Sequence, residues 1–204
     1  MLLKKSVYLA ATIVLFFCGC QGQNKTLYVS PEELSENFEE HSDKIWDLVA
    51  YTNDALKDYC GIQLIIKDSI VTELYVYNFL WMGTKNPKQK DFDKLLHIVG
   101  FNDNTIKTIV RKLIESNCRS IELMKDDGWY IKVLYKADER CGYYYRLFRE
   151  DESDASIQKM IDEEPILIPY SNRVLFEYNP YKNNMDPTFP GREEYLRNYS
   201  TLKK

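Results

Sequence analysis

Hydrophobic positions recur along the chain in two rhythms, and the change from one to the other divides it. Ser30-Pro31-Glu32-Glu33 sets a hydroxyl cap, a proline at the first helical position and an acid three residues after the cap, so a helix starts here. Leu34, Phe38, His41, Ile45, Leu48, Thr52, Ala55 and Tyr59 follow at steps of three or four, which predicts an amphipathic helix closed by Gly61. From Ile62 to Trp81 the rhythm is mixed. Ile62, Ile65, Ile66, Ile70, Leu74, Tyr77 and Trp81 fit a helical period while their β-branched and aromatic character favours strand, and both readings stay open. Gly83 to Lys90, with Pro87, reads as a loop carrying Lys85, Lys88 and Lys90. Two short amphipathic helices follow, through Phe92, Leu95, Leu96 and Val99, and through Ile106, Ile109, Val110, Leu113 and Ile114.

Alternation then takes over. Ser120 to Met124 predicts a strand, Asp126-Asp127-Gly128 a turn, and Trp129 to Lys136 the returning strand of a hairpin. Tyr143 to Arg149 and Arg173 to Tyr178 predict two more strands, with a short helix through Ile157, Met160 and Ile161 between them. From Asn179 onward Pro180, Pro187 and Pro190 alternate with Tyr181, Phe189, Tyr195 and Tyr199, the pattern of an irregular tail that docks on the domain. N-terminal helices packed on a C-terminal antiparallel β-meander make an α+β fold. The division is one domain over 30–204, with a helical part 30–117, a sheet part 118–178 and a docking tail 179–204.

Ahead of the domain stands a different kind of segment. Lys4 and Lys5, an apolar run from Val7 to Phe17 and a small-residue exit at Cys18-Gly19-Cys20 have the layout of a secretory leader. The run falls short of the roughly 20 residues that span a bilayer as a helix, and polar Gln21, Gln23, Asn24 and Lys25 follow at once. Phe17-Cys18-Gly19-Cys20 resembles the lipobox of bacterial lipoproteins, in which a cysteine after a small residue is lipidated and becomes the mature N-terminus. The resemblance covers residues 1–20 only. It implies a signal peptide over 1–19, acyl chains such as palmitate on Cys20, a lipidated tether over 20–29 and a place in the cell envelope on a membrane surface. Gln21 in the position after the cysteine, where Asp favours inner-membrane retention, implies the outer membrane or its periplasmic face in a Gram-negative cell. Each buried methylene contributes about 0.8 kcal/mol, so two or more chains make such anchoring stable. A secretory signal cleaved a few residues later is the competing reading, and it would release the protein.

Composition narrows the chemistry more than it supplies any. The 204 residues, 45% hydrophobic and 28% charged, describe a folded globule, and a formal net charge of -4 offers no electrostatic grip on nucleic acid. The eight glycines form no P-loop and no Rossmann fingerprint, and neither GxSxG nor HExxH occurs, so no nucleotide cofactor is expected. With only His41 and His97, a three-histidine zinc site cannot form in one chain, and no metal is expected. The acidic runs Glu150-Asp151-Glu152-Ser153-Asp154 and Asp162-Glu163-Glu164 lack the spacing of a calcium loop and read as solvated charge. Lys107, Thr108, Arg111 and Lys112 form the basic outer face of a helical hairpin.

Two chemistries remain. Beyond Cys20 the chain keeps Cys60, Cys118 and Cys141, an odd number for an exported protein, compatible with one disulfide or with three thiols. Cys60 and Cys118 sit near helix ends as small apolar residues, whereas Cys141, in the turn Glu139-Arg140-Cys141-Gly142, is expected to be more exposed. A cysteine paired with His41 or His97 would make a thiol-dependent hydrolase or transferase. The second chemistry is aromatic. Of the sixteen tyrosines, Tyr144 should point away from its neighbours Tyr143 and Tyr145, and with Trp129, Tyr130, Tyr178 and Tyr181 it could line a surface for a protein or glycan partner. The competing reading packs these rings into the core under the tail. The expectation is a non-catalytic binding or interaction module of the cell envelope, an immunity-like or inhibitor-like partner among the forms it could take. A thiol enzyme and a structural envelope protein are the alternatives.

Overall fold

The computed structural model describes residues 27–56, 60–78, 80–98, 101–125, 130–182 and 185–202. Cys20 and the 1–26 leader and tether, the Asp126–Gly128 turn, Tyr59 and Trp129 lie outside the described residues, as does the side chain of Tyr130. Among the described residues the order is α1 (Pro31–Ala55), β1 (Gly61–Lys67), β2 (Ile70–Asn78), β3 (Leu80–Lys85), α2 (Gln89–Ile98), α3 (Asp103–Glu115), β4 (Ser120–Met124), β5 (Tyr130–Ala137), β6 (Cys141–Phe148), α4 (Asp154–Glu163), β7 (Leu167–Ser171), β8 (Val174–Pro180) and α5 (Arg192–Leu202). The eight strands form one sheet in the order β3-β2-β1-β4-β5-β6-β8-β7, every pair antiparallel. The fold is α+β.

Local signals act where they were read. Ser30 Oγ accepts from the Glu33 amide at 3.2 Å and caps α1, and Asn102 caps α3 by accepting from the Thr105 amide at 2.9 Å. The helix stops at Leu56, whose amide still bonds Thr52 O, five residues short of Gly61.

Three departures change the architecture. Residues 61–85, placed by their position in the helical part, are three strands, and β1 pairs with β4, so one sheet spans both halves of the chain. The β1–β2 connection is a two-residue turn with Asp68 and Ser69 at φ 51 and 65, the mirror-image geometry that matches strand twist. Leu167–Ser171 adds an edge strand that contains Pro169, a residue tolerated at an edge because no ladder N–H is needed there. The tail beyond Asn179, read as irregular, ends in α5 beside β7.

Alternation divides the sheet into two faces. On the first lie Ile62, Leu64, Leu74, Val76, Ile121, Leu123, Val133, Tyr143, Tyr145 and Phe176, packed with α1 and α3 into the main core. Phe38 of α1 stands edge-on to Tyr145 and Tyr170 at 5.2 and 5.3 Å, contacts of about 0.5–1.5 kcal/mol each beyond the area they bury. Tyr145 also orders a polar link to the helices: its hydroxyl accepts from Asn37 Nδ2 at 2.7 Å, and Asn37 Oδ1 accepts from Asn117 Nδ2 at 2.7 Å. Lys112 of α3 reaches Asp47 of α1 and lies over the Tyr51 ring, 5.5 Å from its centroid. A smaller cluster of Phe148, Leu167 and Leu175 with Ile157 and Ile161 of α4 covers the second face at its β6–β8–β7 end. One register row, Lys85, Glu73, Ile65, Ser120, Leu134, Tyr144, Glu177 and Leu167, crosses all the strands and fixes which loops share an end of the sheet.

Outside β7 the helix α5 uses the strand's own carbonyls. Tyr195 donates its hydroxyl to Pro169 O at 2.8 Å, and Arg192 Nε donates to Leu167 O at 3.3 Å.

Candidate functional site

Beyond α4 the second face changes from apolar to charged. Tyr75, Gln63, Glu122, Lys132 and Arg146 stand opposite one another on β2, β1, β4, β5 and β6. Glu177, one register step away on β8, is fully buried and takes Lys132 Nζ on one oxygen at 2.7 Å and Arg146 Nε on the other at 2.8 Å. Arg146 turns its remaining nitrogens to Glu164, at the end of α4, in a two-pronged pair at 2.9 and 3.0 Å. Burial pulls the Arg146 guanidinium down, and Glu164 and Glu177 more than offset it, so it stays charged.

Glu122 is the half-buried acid of this row. Burial lifts its carboxyl above the usual carboxylate range, Lys132 opposes the lift and Glu177 adds to it. Glu177 thereby locks Lys132 and Arg146 in place while keeping Glu122 beside a second negative charge. The cluster is a preorganised strip of mixed sign, two adjacent cations between two acids, suited to a partner that brings hydrogen-bond donors or cations to Glu122.

The aromatic residues divide between the two faces. Tyr144 lies on the second face and shares a hydrogen bond with Tyr181 at 2.9 Å, over Gly142, where a Cβ would come within 2.3 Å of the Tyr181 hydroxyl. Tyr75 covers Gly83 in the same way, its ring 1.9 Å from where a Cβ would stand. Tyr178, expected on the same surface, is 4% exposed and belongs to the opposite face, tilted against Tyr143 at 5.3 Å and edge-on to Phe189 at 6.3 Å. Register decides this: Tyr178 pairs with Tyr143, not with Tyr144.

Cys60, Cys118 and Cys141 are thiols. Cys141, expected to be exposed in its turn, is fully buried, because Asp138 rather than Cys141 forms the turn: its carboxylate accepts from the Arg140 and Cys141 amides at 2.7 and 2.9 Å. Burial and then Asp138 push the Cys141 thiol up to about 11. Burial pushes Cys118 up to about 12 despite its bond to Ser116 O. A cysteine nucleophile needs the opposite shift. His41 turns Nδ1 to Asn37 O at 3.1 Å along its own helix, and His97 is exposed in the last turn of α2.

Sequence reasoning missed Glu122, Lys132, Arg146 and Glu177. Their signal was a charge in the middle of an otherwise apolar strand, Arg146 between Tyr145 and Leu147 and Glu177 between Phe176 and Tyr178. Among the described residues no group of His, Cys, Asp and Glu has the arrangement of a metal site, and no helix is long and apolar enough to cross a membrane. Compared with known proteins, the chain matches no family model, no curated protein and no solved structure.

Proposed function

We propose that the chain is a membrane-anchored lipoprotein of the bacterial cell envelope, held by an acylated Cys20, whose α+β domain is a non-catalytic binding module. The observation that supports this most is the charged strip on the second face. Glu177 holds Lys132 and Arg146 in fixed positions next to half-buried Glu122. Rigid polar groups on a sheet recognise a partner at low entropic cost, because little side-chain freedom remains to be lost. Tyr75 at one border and the Tyr144–Tyr181 pair at the other add amphipathic contact area to it. The partner favoured by this chemistry is a protein that presents cationic or amide donors to Glu122. The raised thiols of Cys118 and Cys141 weigh against the thiol-enzyme alternative.

The test has two halves. Intact mass of the protein extracted from its membrane should show Cys20 as an acylated N-terminal residue, with acylation lost in Cys20→Ala. Saturable binding of one envelope protein should be lost in Glu122→Lys and kept in Glu163→Lys on exposed α4. An unmodified N-terminus beyond Cys20 refutes the anchor, and binding indifferent to Glu122→Lys refutes the site.

A further inference from the structure

Large apolar side chains left in water collect at one end of the sheet. Beyond the register row that crosses all the strands lie the β1–β2 turn, the β3–α2 loop, the end of α3, the β5–β6 turn and Leu27, whose amide bonds Asp138 at 3.0 Å. Among the described residues the large hydrophobic side chains most exposed are Ile70 at 67%, Tyr28 at 60%, Ile98 at 54%, Ile114 at 49% and Tyr181 at 44%. All but Ile98 belong to this end: Ile70 follows the hairpin turn, Ile114 closes α3, Tyr28 follows Leu27, and the Tyr181 amide bonds Arg140 O in the β5–β6 turn.

A groove of about 690 Å³ opens here between Ile70, Phe92, Val110 and Ile114. Beside it Lys85 ends β3, paired with Glu73 at 2.7 Å, Lys88 lies in the short loop that follows and Lys90 in the first turn of α2; Lys88, Lys90 and nearby Lys67 are exposed. Asp68, Asp91 and Glu139 are exposed at the same end, and Asp103 and Glu115 on the groove wall are paired with Lys107 and Arg111, so the attraction for anions is local to Lys67, Lys88 and Lys90. The chain enters the domain at this end as well. From Cys20 to Leu27 it can reach at most about 25 Å when fully extended.

We infer that this end is the surface on which the domain rests on an anionic bilayer. Ile70, Ile114 and the groove between them enter the boundary of headgroups and acyl chains, Tyr28 and Tyr181 lie at the interface where amphipathic rings settle, and Lys88 and Lys90 meet headgroup phosphates. The inference rests on the reading of Cys20 as the anchor, and it adds an orientation: the charged strip stands side-on to the membrane, open to partners in the envelope.

The experiment places p-benzoylphenylalanine in the full chain at Ile70, at Ile114 or, as a control, at exposed Glu150 beyond the opposite end of β6. Each protein is purified from its membrane, its N-terminus is read by mass spectrometry, and it is irradiated in vesicles of phosphatidylethanolamine with phosphatidylglycerol. Phospholipid adducts are expected from positions 70 and 114 and not from 150. Lys88→Gln, at an exposed loop position that leaves the core untouched, should lower the adduct yield by about fivefold, the factor one basic residue contributes at an anionic surface. Equal yields at all three positions, or adducts at 70 and 114 to a second copy or another protein, overturn the inference. If Cys20 is acylated and no lipid adduct forms, the surface is wrong and the anchor stands. If Cys20 is unmodified but lipid adducts form at 70 and 114, the anchor is wrong and the surface stands.

Discussion

Glu177→Leu removes the acid at the centre of the charged strip and leaves two cations facing an apolar side chain. Taking one partner from a buried pair costs about 3–5 kcal/mol, because a charge is left without compensation. Here Arg146 keeps both bonds to Glu164, at 2.9 and 3.0 Å, and Lys132 keeps Glu122 across the strand. The lower bound of about 3 kcal/mol therefore applies. With a urea dependence of about 2 kcal/mol per molar, the unfolding midpoint should fall by about 1.5 M, followed by far-ultraviolet circular dichroism. Glu177→Leu with Arg146→Met then supplies the sharper test. Replacing both members of a buried pair by apolar residues is often close to neutral, so the double variant should be more stable than Glu177→Leu alone. A midpoint drop under about 0.3 M in the single variant, or costs that simply add in the double, would refute the claim that these charges act as one buried unit.

Other consequences are open to direct measurement. The Glu122 carboxyl is raised by burial, so the folded state binds its proton more tightly than the unfolded chain; its contribution is present at low pH and is lost as pH rises through the raised value. Glu122→Gln should accordingly raise the urea midpoint at neutral pH and leave it unchanged below the carboxylate range, and a gain that persists in acid would contradict the assignment. Thr52 Oγ1 is buried without a hydrogen-bond partner, so Thr52→Val should stabilise the protein by about 1 kcal/mol, visible as a higher thermal midpoint. Cys118 and Cys141, raised to about 12 and about 11, should resist a thiol reagent in the folded protein and react together on unfolding, whereas half-buried Cys60 should react first. Prompt labelling of Cys141 in native buffer would disprove its burial.

How far the fold could be read depended on how many faces of an element are buried. The Ser30 cap and the Leu34, Phe38, Ile45, Leu48 stripe of α1 announce themselves because that helix buries one side only. In β1 and β2 the core face carries Ile62, Leu64, Leu74 and Val76, but the other face carries Ile65, Tyr75 and Tyr77. With apolar residues on both faces, alternation is lost, and a helical period fits the same letters equally well. Pro169 concealed β7, since proline marks a break unless the strand is known to lie at an edge. The site was less legible still. Tyr144 and Tyr178 look alike in sequence, and only the pairing of β6 with β8 sends them to opposite faces. Glu122, Lys132, Arg146 and Glu177 come from separate strands, and no local spacing joins them.

A sheet edge is a template on which another chain can add a strand, and the danger grows with concentration. At β7, Pro169 has no N–H to offer, and the carbonyls of Pro169 and Leu167 are already taken by Tyr195 and Arg192 of α5. Two copies that met through an open edge could pair strand to strand and extend into a fibril, so α5 closes a route to assembly as well as covering β7. Losing α5 would free those carbonyls and leave β7 open to the addition of a strand from another chain.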